Sequence, residues 1–196
     1  MKGIQFVLIV LCILFIGFIG CEIGIGGNGD VISLERTIEG FNGISLVGVG
    51  NINIYNGENF KIVIKTDSNL QDRVLTTVNE NILQISQEPG NFNATELTIN
   101  IFMPDLKSIA LSGAGNIRII AGSATDLQIS LSGAGNINAQ DFQVQNITIN
   151  HSGVGNARIW AVSSLNGTLS GVGNISYKGN PTVNINRTGV GTVKQE

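Results

Sequence analysis

The residues that could carry acid–base chemistry are few and far apart in this chain. His151 is the one histidine, Ser152 follows it, and Asp141 lies ten residues earlier. A Ser–His–Asp triad needs side chains that converge, whereas neighbours along a strand point to opposite faces. We therefore expect His151 to be structural. In the repeat described below it takes a position that leucine takes in other units, so it either points inward or lies at a local distortion.

Carboxylates are a second possible source of chemistry, because paired acids can act as general acid and base or bind calcium. Asp105, Asp126 and Asp141 stand alone in turn-like stretches, so we expect solvated turn residues. The alternative is that neighbouring units of the repeat bring two of them together. The sequence predicts no catalytic residue, no cofactor and no metal site, and we expect the protein not to be an enzyme.

Glycine pairs of the form G-x-G occur six times and could suggest phosphate or calcium binding. They lack the third glycine and the following helix of a dinucleotide-binding loop. Calcium-binding nonapeptide repeats need an aspartate after the glycines, where this chain has asparagine. No nucleic acid partner is expected, because the formal net charge is −3 and the 11 lysines and arginines are scattered singly.

Residues 1–20 have the features of an export signal. Lys2 gives a positive start, and residues 3–20 carry no charge before Cys21. The sequence FIGC at 18–21 resembles a bacterial lipobox, although phenylalanine replaces the usual leucine. We predict lipidation at Cys21, a short linker over 21–27 and the membrane as a partner at this end. An uncleaved transmembrane helix, or simple secretion, would also place the remaining chain outside the cytoplasm.

The strongest feature of the sequence is an internal repeat. SGAGN occurs at 112–116 and 132–136, SGVGN at 152–156 and 170–174, and TGVGT at 188–192, while VGVGN at 47–51 carries the same signature. The five consecutive units therefore recur at nearly constant spacing. Apolar and polar residues alternate around each unit, which predicts a strand, a bend and a second strand with one buried face. The repeat indicates an all-β protein.

A unit of about 18–20 residues suits one coil of a parallel β-helix, a solenoid in which each coil pairs with the next about 4.8 Å away. The paired glycines should form the corner between two faces, through positive φ or close backbone approach. They are Gly113, Gly115, Gly133, Gly135, Gly153, Gly155, Gly171, Gly173, Gly189 and Gly191. The asparagines that follow should stack as a hydrogen-bonded ladder: Asn116, Asn136, Asn156 and Asn174.

Two other stretches and one tryptophan complete the prediction. Residues 67–84 indicate a short helical turn near 70–74 and then strands, in an irregular N-terminal β portion of the same domain. Residues 88–95 indicate a long flexible loop and the best candidate for a ligand-facing surface. Alternation places Trp160 outward, where it could stack on a sugar ring; packing beneath a loop is the alternative.

Two segments carry a family resemblance: ERTIEGFNGISLVGVGNINIYNG at 35–57 and MPDLKSIALSGAGNI at 103–117. They resemble the head GIN domain family of auto-transporter adhesin heads, over about residues 28–196. The resemblance implies a right-handed β-helix, similar in shape to pectin lyases without their catalytic residues, and an adhesive or envelope role. This chain departs from the family's SGSGN units by having Ala or Val where serine is usual.

These features predict a non-catalytic adhesion or scaffold protein, anchored to the cell envelope with a domain over 28–196 on the non-cytoplasmic side. The alternatives are a carbohydrate-binding module at Trp160 and residues 88–95, and a polysaccharide-active β-helix enzyme with converging carboxylates. The expected partner is a surface glycan or protein. Arg187 and Lys194 place charge on the last unit, which favours a monomer.

Overall fold

The computed structural model describes residues 25–196, which form an all-β domain. The predicted export signal, with the lipidation site Cys21, lies outside the described residues. Ile25 and Gly26, which the sequence assigns to the linker, form a short strand. Within residues 25–196, no helix is long and apolar enough to cross a membrane.

Seventeen strands and one short 3-10 helix make up the described part of the chain. Their bounds are β1 (Ile25–Gly26), β2 (Val31–Arg36), β3 (Gly43–Leu46), β4 (Val49–Asn56), β5 (Lys61–Asp67), the 3-10 helix (Ser68–Arg73), β6 (Val74–Asn79), β7 (Ile82–Gln87), β8 (Phe92–Asn93), β9 (Leu97–Met103), β10 (Ser108–Leu111), β11 (Ala114–Ile119), β12 (Gly122–Leu131), β13 (Ala134–His151), β14 (Ala157–Leu169), β15 (Ile175–Lys178), β16 (Thr182–Arg187) and β17 (Val193–Gln195). The 3-10 helix lies close to the short helical turn expected near 70–74.

From β10 onward, each repeat unit pairs in parallel with the next unit, and we call one such unit a rung. β10 pairs with β12, and β11 pairs with β13 in a register that sets Asn116 opposite Asn136. β14 and β15 continue the stack with Ala157 opposite Ile175. The number of residues between paired positions therefore equals the spacing of the repeat units in the sequence. Equivalent side chains of neighbouring units lie opposite each other, because the rungs pair in parallel.

The N-terminal unit joins the same stack across a long insertion. β3 and β4 pair in parallel with β10 and β11, and Asn51 lies opposite Asn116. Within the insertion, β7 and β9 pair in parallel with β3 and β4. Antiparallel pairs extend this end of the sheet: β2 with β5, β5 with β9 and β6 with β7. The result is a curled, mixed sheet in which antiparallel strands at the N-terminal end flank a parallel stack.

The core consists of the inward side chains of successive rungs, which stack in columns. One column contains Ile44, Ile109, Ile129 and Ile149, each at most 2% exposed. A second contains Ile52, Ile117, Ile137, Ala157 and Ile175. Full burial of one such isoleucine contributes about 1.5–3 kcal/mol. Since strand side chains alternate, the same pairing sets the outward side chains in regular columns.

Candidate functional site

The corner of each rung is made by its two glycines, and each glycine has its own steric reason. Gly135 has φ +142°, and a Cβ there would overlap the carbonyl oxygen of Gly115 in the preceding rung. Gly133 is needed for close approach alone, since its Cβ would meet the backbone of residues 112–113. The other corner glycines face the preceding rung in the same way: Gly113, Gly115, Gly153, Gly155, Gly171, Gly173, Gly189 and Gly191.

A column of hydrogen-bonded asparagines runs beside this corner. The amide Nδ2 of Asn136 donates to Oδ1 of Asn116 at 3.0 Å, and Nδ2 of Asn156 donates to Oδ1 of Asn136 at 3.2 Å. Asn174 continues the column at 3.1 Å. Asn51 starts it and Thr192 ends it, through bonds of 2.9 and 2.8 Å. The structure thus brings the four asparagines chosen from the sequence together and adds one residue at each end.

The residue between the two glycines is exposed in every rung and forms an apolar column. Val154, Val172 and Val190 are 58%, 51% and 71% exposed and are joined by isolated parallel bridges. Ala114 and Ala134 hold the same position in earlier rungs and are also exposed. The corner therefore presents a narrow apolar stripe beside a row of amides.

His151 points into the core. It lies between Leu131 and Leu169 in the stack and is fully buried. Its Nε2 lies 2.7 Å from the carbonyl oxygen of Gly155, so Nε2 carries the hydrogen and donates. Nδ1 is then an acceptor, and it has no hydrogen-bond partner among the described residues. This arrangement separates His151 from Ser152, which faces outward and is exposed.

The three aspartates considered for catalysis occupy two different places. Asp105 and Asp126 line one shallow recess of about 240 Å³, together with Lys107, whose Nζ lies 3.1 Å from Asp105 Oδ2. Asp141 is elsewhere, 3.7 Å from Arg118. Among residues 25–196, no three His, Cys, Asp or Glu side chains are grouped closely enough to hold a metal ion. Neighbouring rungs thus bring two carboxylates into one recess, with a lysine beside them.

A larger groove, of about 480 Å³, lies on the outward face of β7, β3, β10, β12 and β13. Hydroxyl and amide side chains line it, including Ser45, Ser108, Gln128, Ser130, Thr148 and Asn150. The turn of the β6–β7 hairpin lies beside the groove and adds the carboxylate of Glu80, which has φ +49°. Val47 and Ile82 add exposed apolar surface, so the lining combines neutral donors and acceptors with apolar side chains.

This chain also matches a known protein family. Residues 40–121 and 112–181 match the family described as "Putative auto-transporter adhesin, head GIN domain". The chain belongs to the head GIN domain family. The resemblance inferred from the 35–57 and 103–117 segments is therefore confirmed, and the two matches overlap within the repeat because the SGxGN unit recurs there.

A solved structure shares the fold of this chain. A putative adhesin from Bacteroides fragilis NCTC 9343 is 24% identical, covers 88% of this chain and 100% of its own, and superposes with a TM-score of 0.62. A putative adhesin from Parabacteroides merdae ATCC 43184 is 22% identical over 88% of this chain and 99% of its own, with a TM-score of 0.48. No curated protein matches the chain. The first of these similarities establishes a common fold.

The segment expected as a flexible loop is partly ordered in this head GIN domain. Phe92 and Asn93 form β8, which pairs in parallel with β1. Residues 88–95 therefore help to hold the N-terminal end of the described chain. Trp160 is half-buried and alternates with the buried Ile159 and Ala161. Its position on the outward side of β14 agrees with the alternation of the sequence.

Asp67 holds three segments together, and sequence reasoning missed it. Its buried carboxylate accepts hydrogen bonds from the backbone N–H of Gly29 and Thr95, both at 2.7 Å. Burial alone would raise the pKa of Asp67, but these hydrogen bonds outweigh it, and the pKa lies below its ordinary value. The sequence signal was weak: an aspartate ending a strand, and the distant glycine run at 26–29 that the carboxylate contacts.

Proposed function

We propose that this head GIN domain is an exported, non-catalytic adhesive protein, held to the cell envelope by lipid on Cys21. We further propose that the parallel stack is a right-handed β-helix and that the protein acts as a monomer. The observation that carries the proposal is the regular outward surface. Amide, hydroxyl and apolar side chains repeat in register along one rigid stack, in a chain of an adhesin family.

Such a surface suits binding to an extended, repetitive ligand. Each rung offers the same few donors and acceptors about 4.8 Å from the last. Individual contacts of this kind are weak, but a polymer that spans several rungs makes them together, and the gain grows with the number of rungs engaged. A rigid array also spares the ordering cost that a flexible binding loop would incur.

A carbohydrate-binding role is the form of adhesion that the grooves favour. The 480 Å³ groove combines hydroxyl and amide side chains, which match the hydroxyl groups of sugars, with exposed apolar side chains such as Val47 and Ile82. Trp160 adds a half-exposed indole to the outward side of β14, where a sugar ring could stack. The groove and Trp160 lie on different strands, so the two surfaces can be tested separately.

A polysaccharide-active enzyme is the second candidate, and the recess of Asp105 and Asp126 is the place to test it. An enzyme of this kind would use one carboxyl as acid and the other as base. Incubation of the purified protein with acidic and neutral polysaccharides, followed by assay of reducing and unsaturated ends, measures turnover. Turnover that disappears in Asp126→Asn would replace the adhesin proposal with an enzyme.

Anchoring is tested with the two cysteines of the chain. Cells that produce the full chain are labelled with a palmitate analogue, with Cys21→Ala as the test variant and Cys12→Ala as the matched control. We expect label in the wild type and in Cys12→Ala and its loss in Cys21→Ala. Label that survives in Cys21→Ala would place the lipid on another residue, and absence of label from the wild type would contradict the lipid anchor and favour an uncleaved helix.

Adhesion is tested by comparing cells with and without the protein. Attachment to surfaces coated with different glycans or with matrix proteins should fall when the gene is deleted and return when the full chain is supplied again. Shaving of intact cells with protease should release the domain. Equal attachment of deleted and complemented cells on every surface would remove the adhesive role.

A further inference from the structure

Three cations lie in one outward column at every second rung. Arg118 pairs with Asn138, Asn138 pairs with Arg158, Arg158 pairs with Ser176, and Ser176 pairs with Lys194. The first four alternate with buried or half-buried inward residues, and Lys194 follows the half-buried Val193, so the five side chains share the outer face. A positive charge therefore recurs every two rungs, with a neutral polar residue between. Two rungs span about 9.6 Å.

The first two of these cations lie in a groove of about 390 Å³ beside the asparagine column. Its polar lining is Asn116, Arg118, Asn136, Asn138, Asn156 and Arg158. In the column, each asparagine uses one amide hydrogen to bond the preceding Oδ1. The second hydrogen of each amide is left to donate to a ligand. The groove thus combines two guanidinium groups with a row of amide donors, in a protein whose formal net charge is −3.

The acidic neighbours of the two arginines leave their donors available. Asp141 Oδ2 lies 3.7 Å from Nη2 of Arg118, and Glu196 Oε1 lies 3.9 Å from Nε of Arg158. Both separations exceed the 2.7–3.2 Å or so of an N–H···O hydrogen bond. The arginine side chains are 55% and 59% exposed. Each guanidinium can therefore turn its planar pair of N–H groups to a carboxylate of a ligand.

We propose that this groove, extended by Lys194 in the same column, binds a linear acidic polysaccharide that carries one carboxylate per disaccharide. We call Arg118, Arg158 and Lys194 the cationic track. An extended disaccharide has about the length of two rungs, so successive uronate carboxylates meet successive cations. The neutral sugars between them lie over Asn138 and Ser176, whose side chains bond hydroxyl groups. This inference rests on the proposed adhesive function and names the ligand class for one of its surfaces.

The test compares hyaluronan, which has one uronate per disaccharide, with hyaluronan whose carboxyl groups have been reduced to alcohols. Binding to the detergent-solubilised full chain is measured by calorimetry at low and at high salt. We expect binding of the acidic form that weakens as salt rises, and at least about tenfold weaker binding of the reduced form, because exposed ion pairs each contribute a few-fold and are screened by salt.

Matched variants assign the binding to the track. Arg118→Gln with Arg158→Gln should weaken hyaluronan binding about tenfold, and Asp141→Asn should strengthen it by removing a competing carboxylate. Arg73→Gln is the control, because Arg73, the last residue of the 3-10 helix, also makes a loose ion pair, 3.8 Å from Glu88, away from the track. Thermal unfolding of each variant establishes that the fold is intact.

Several results would overturn the proposal. They are equal binding of the reduced and acidic glycans, unchanged binding in the double variant, or equally tight retention of single-stranded DNA, which would indicate general attraction of anions. If any of these occurs while cells still depend on the protein for attachment, the ligand class is wrong and the adhesive function stands. Loss of attachment dependence as well would remove both.

Discussion

Replacement of His151 by leucine should stabilise the protein. His151 is fully buried in a position that leucine holds in neighbouring rungs, and its Nδ1 acceptor has no hydrogen-bond partner among the described residues. A buried acceptor left unpaired costs about 1–3 kcal/mol. The bond from Nε2 to Gly155 offsets about 1 kcal/mol of this cost. His151→Leu removes both effects and adds apolar contacts in the core.

The expected net gain in the free energy of unfolding is about 1 kcal/mol, which corresponds to a rise of about 2–4 °C in the melting temperature for a domain of this size. Urea unfolding of the purified wild type and variant, followed by circular dichroism and extrapolated with a common slope, measures the difference. The Gly155 carbonyl loses its imidazole donor in the variant. The neighbouring rungs tolerate the lack of such a donor, since they have the fully buried leucines Leu131 and Leu169 at this position.

Leu131→His is the reciprocal control, because it makes the opposite exchange one rung away. It should destabilise the protein by about 1 kcal/mol or more, since it introduces a second unpaired buried acceptor. A loss of stability in His151→Leu would contradict this expectation. It would mean that Nδ1 has a partner in solution, for example a bound water, and that the imidazole bond to Gly155 contributes more than the leucine.

Three further predictions concern the corner and the N-terminal end. Asn136→Ala breaks the asparagine column on both sides and should lower the free energy of unfolding by about 1–2 kcal/mol. The control Asn184→Ala, at an exposed position on β16, should change it by less than about 0.5 kcal/mol. Urea unfolding of the two variants compares these effects. Gly135→Ala should lower the free energy of unfolding by about 3 kcal/mol or more, because a Cβ there meets backbone. Gly40→Ala, with φ +80° in open space, should lower it by about 1–2 kcal/mol. A similar loss of stability in both variants would mean that φ alone matters. Asp67 should make stability fall as pH drops below about 4, because its folded pKa is depressed and the unfolded chain takes up the proton first. Asp67→Asn should flatten the fall of melting temperature with decreasing pH in this range. An unchanged fall in the variant would contradict the role assigned to Asp67.

The repeat made most of the stack predictable. SGxGN units recur along the sequence at the same offsets at which strands pair in the structure. Asn51 shows where spacing fails as a guide: 65 residues separate it from Asn116, yet the two side chains are bonded. Its VGVGN motif was visible, but no spacing rule could place it next to that rung, because an insertion that contains β5 to β9 lies between.

The candidate site was only partly predictable, because grooves arise from pairing across rungs. Arg118 and Arg158 each stand two residues after a ladder asparagine, so the repeat already places them in one column. The sequence could not show the groove between them, which the pairing of β11, β13 and β14 forms. The recess that joins Asp105 and Asp126 has the same origin. The buried position of His151 was more predictable, because the alignment of the repeat units places it where other units have leucine.

Binding and catalysis can be measured together. Immobilised acidic and neutral polysaccharides are incubated with the purified protein, and retention of the protein and release of sugar ends are followed in the same samples. We expect retention on a polysaccharide with no new reducing or unsaturated ends over time. Steady release of sugar ends, lost in Asp126→Asn, would contradict it and make the protein an enzyme.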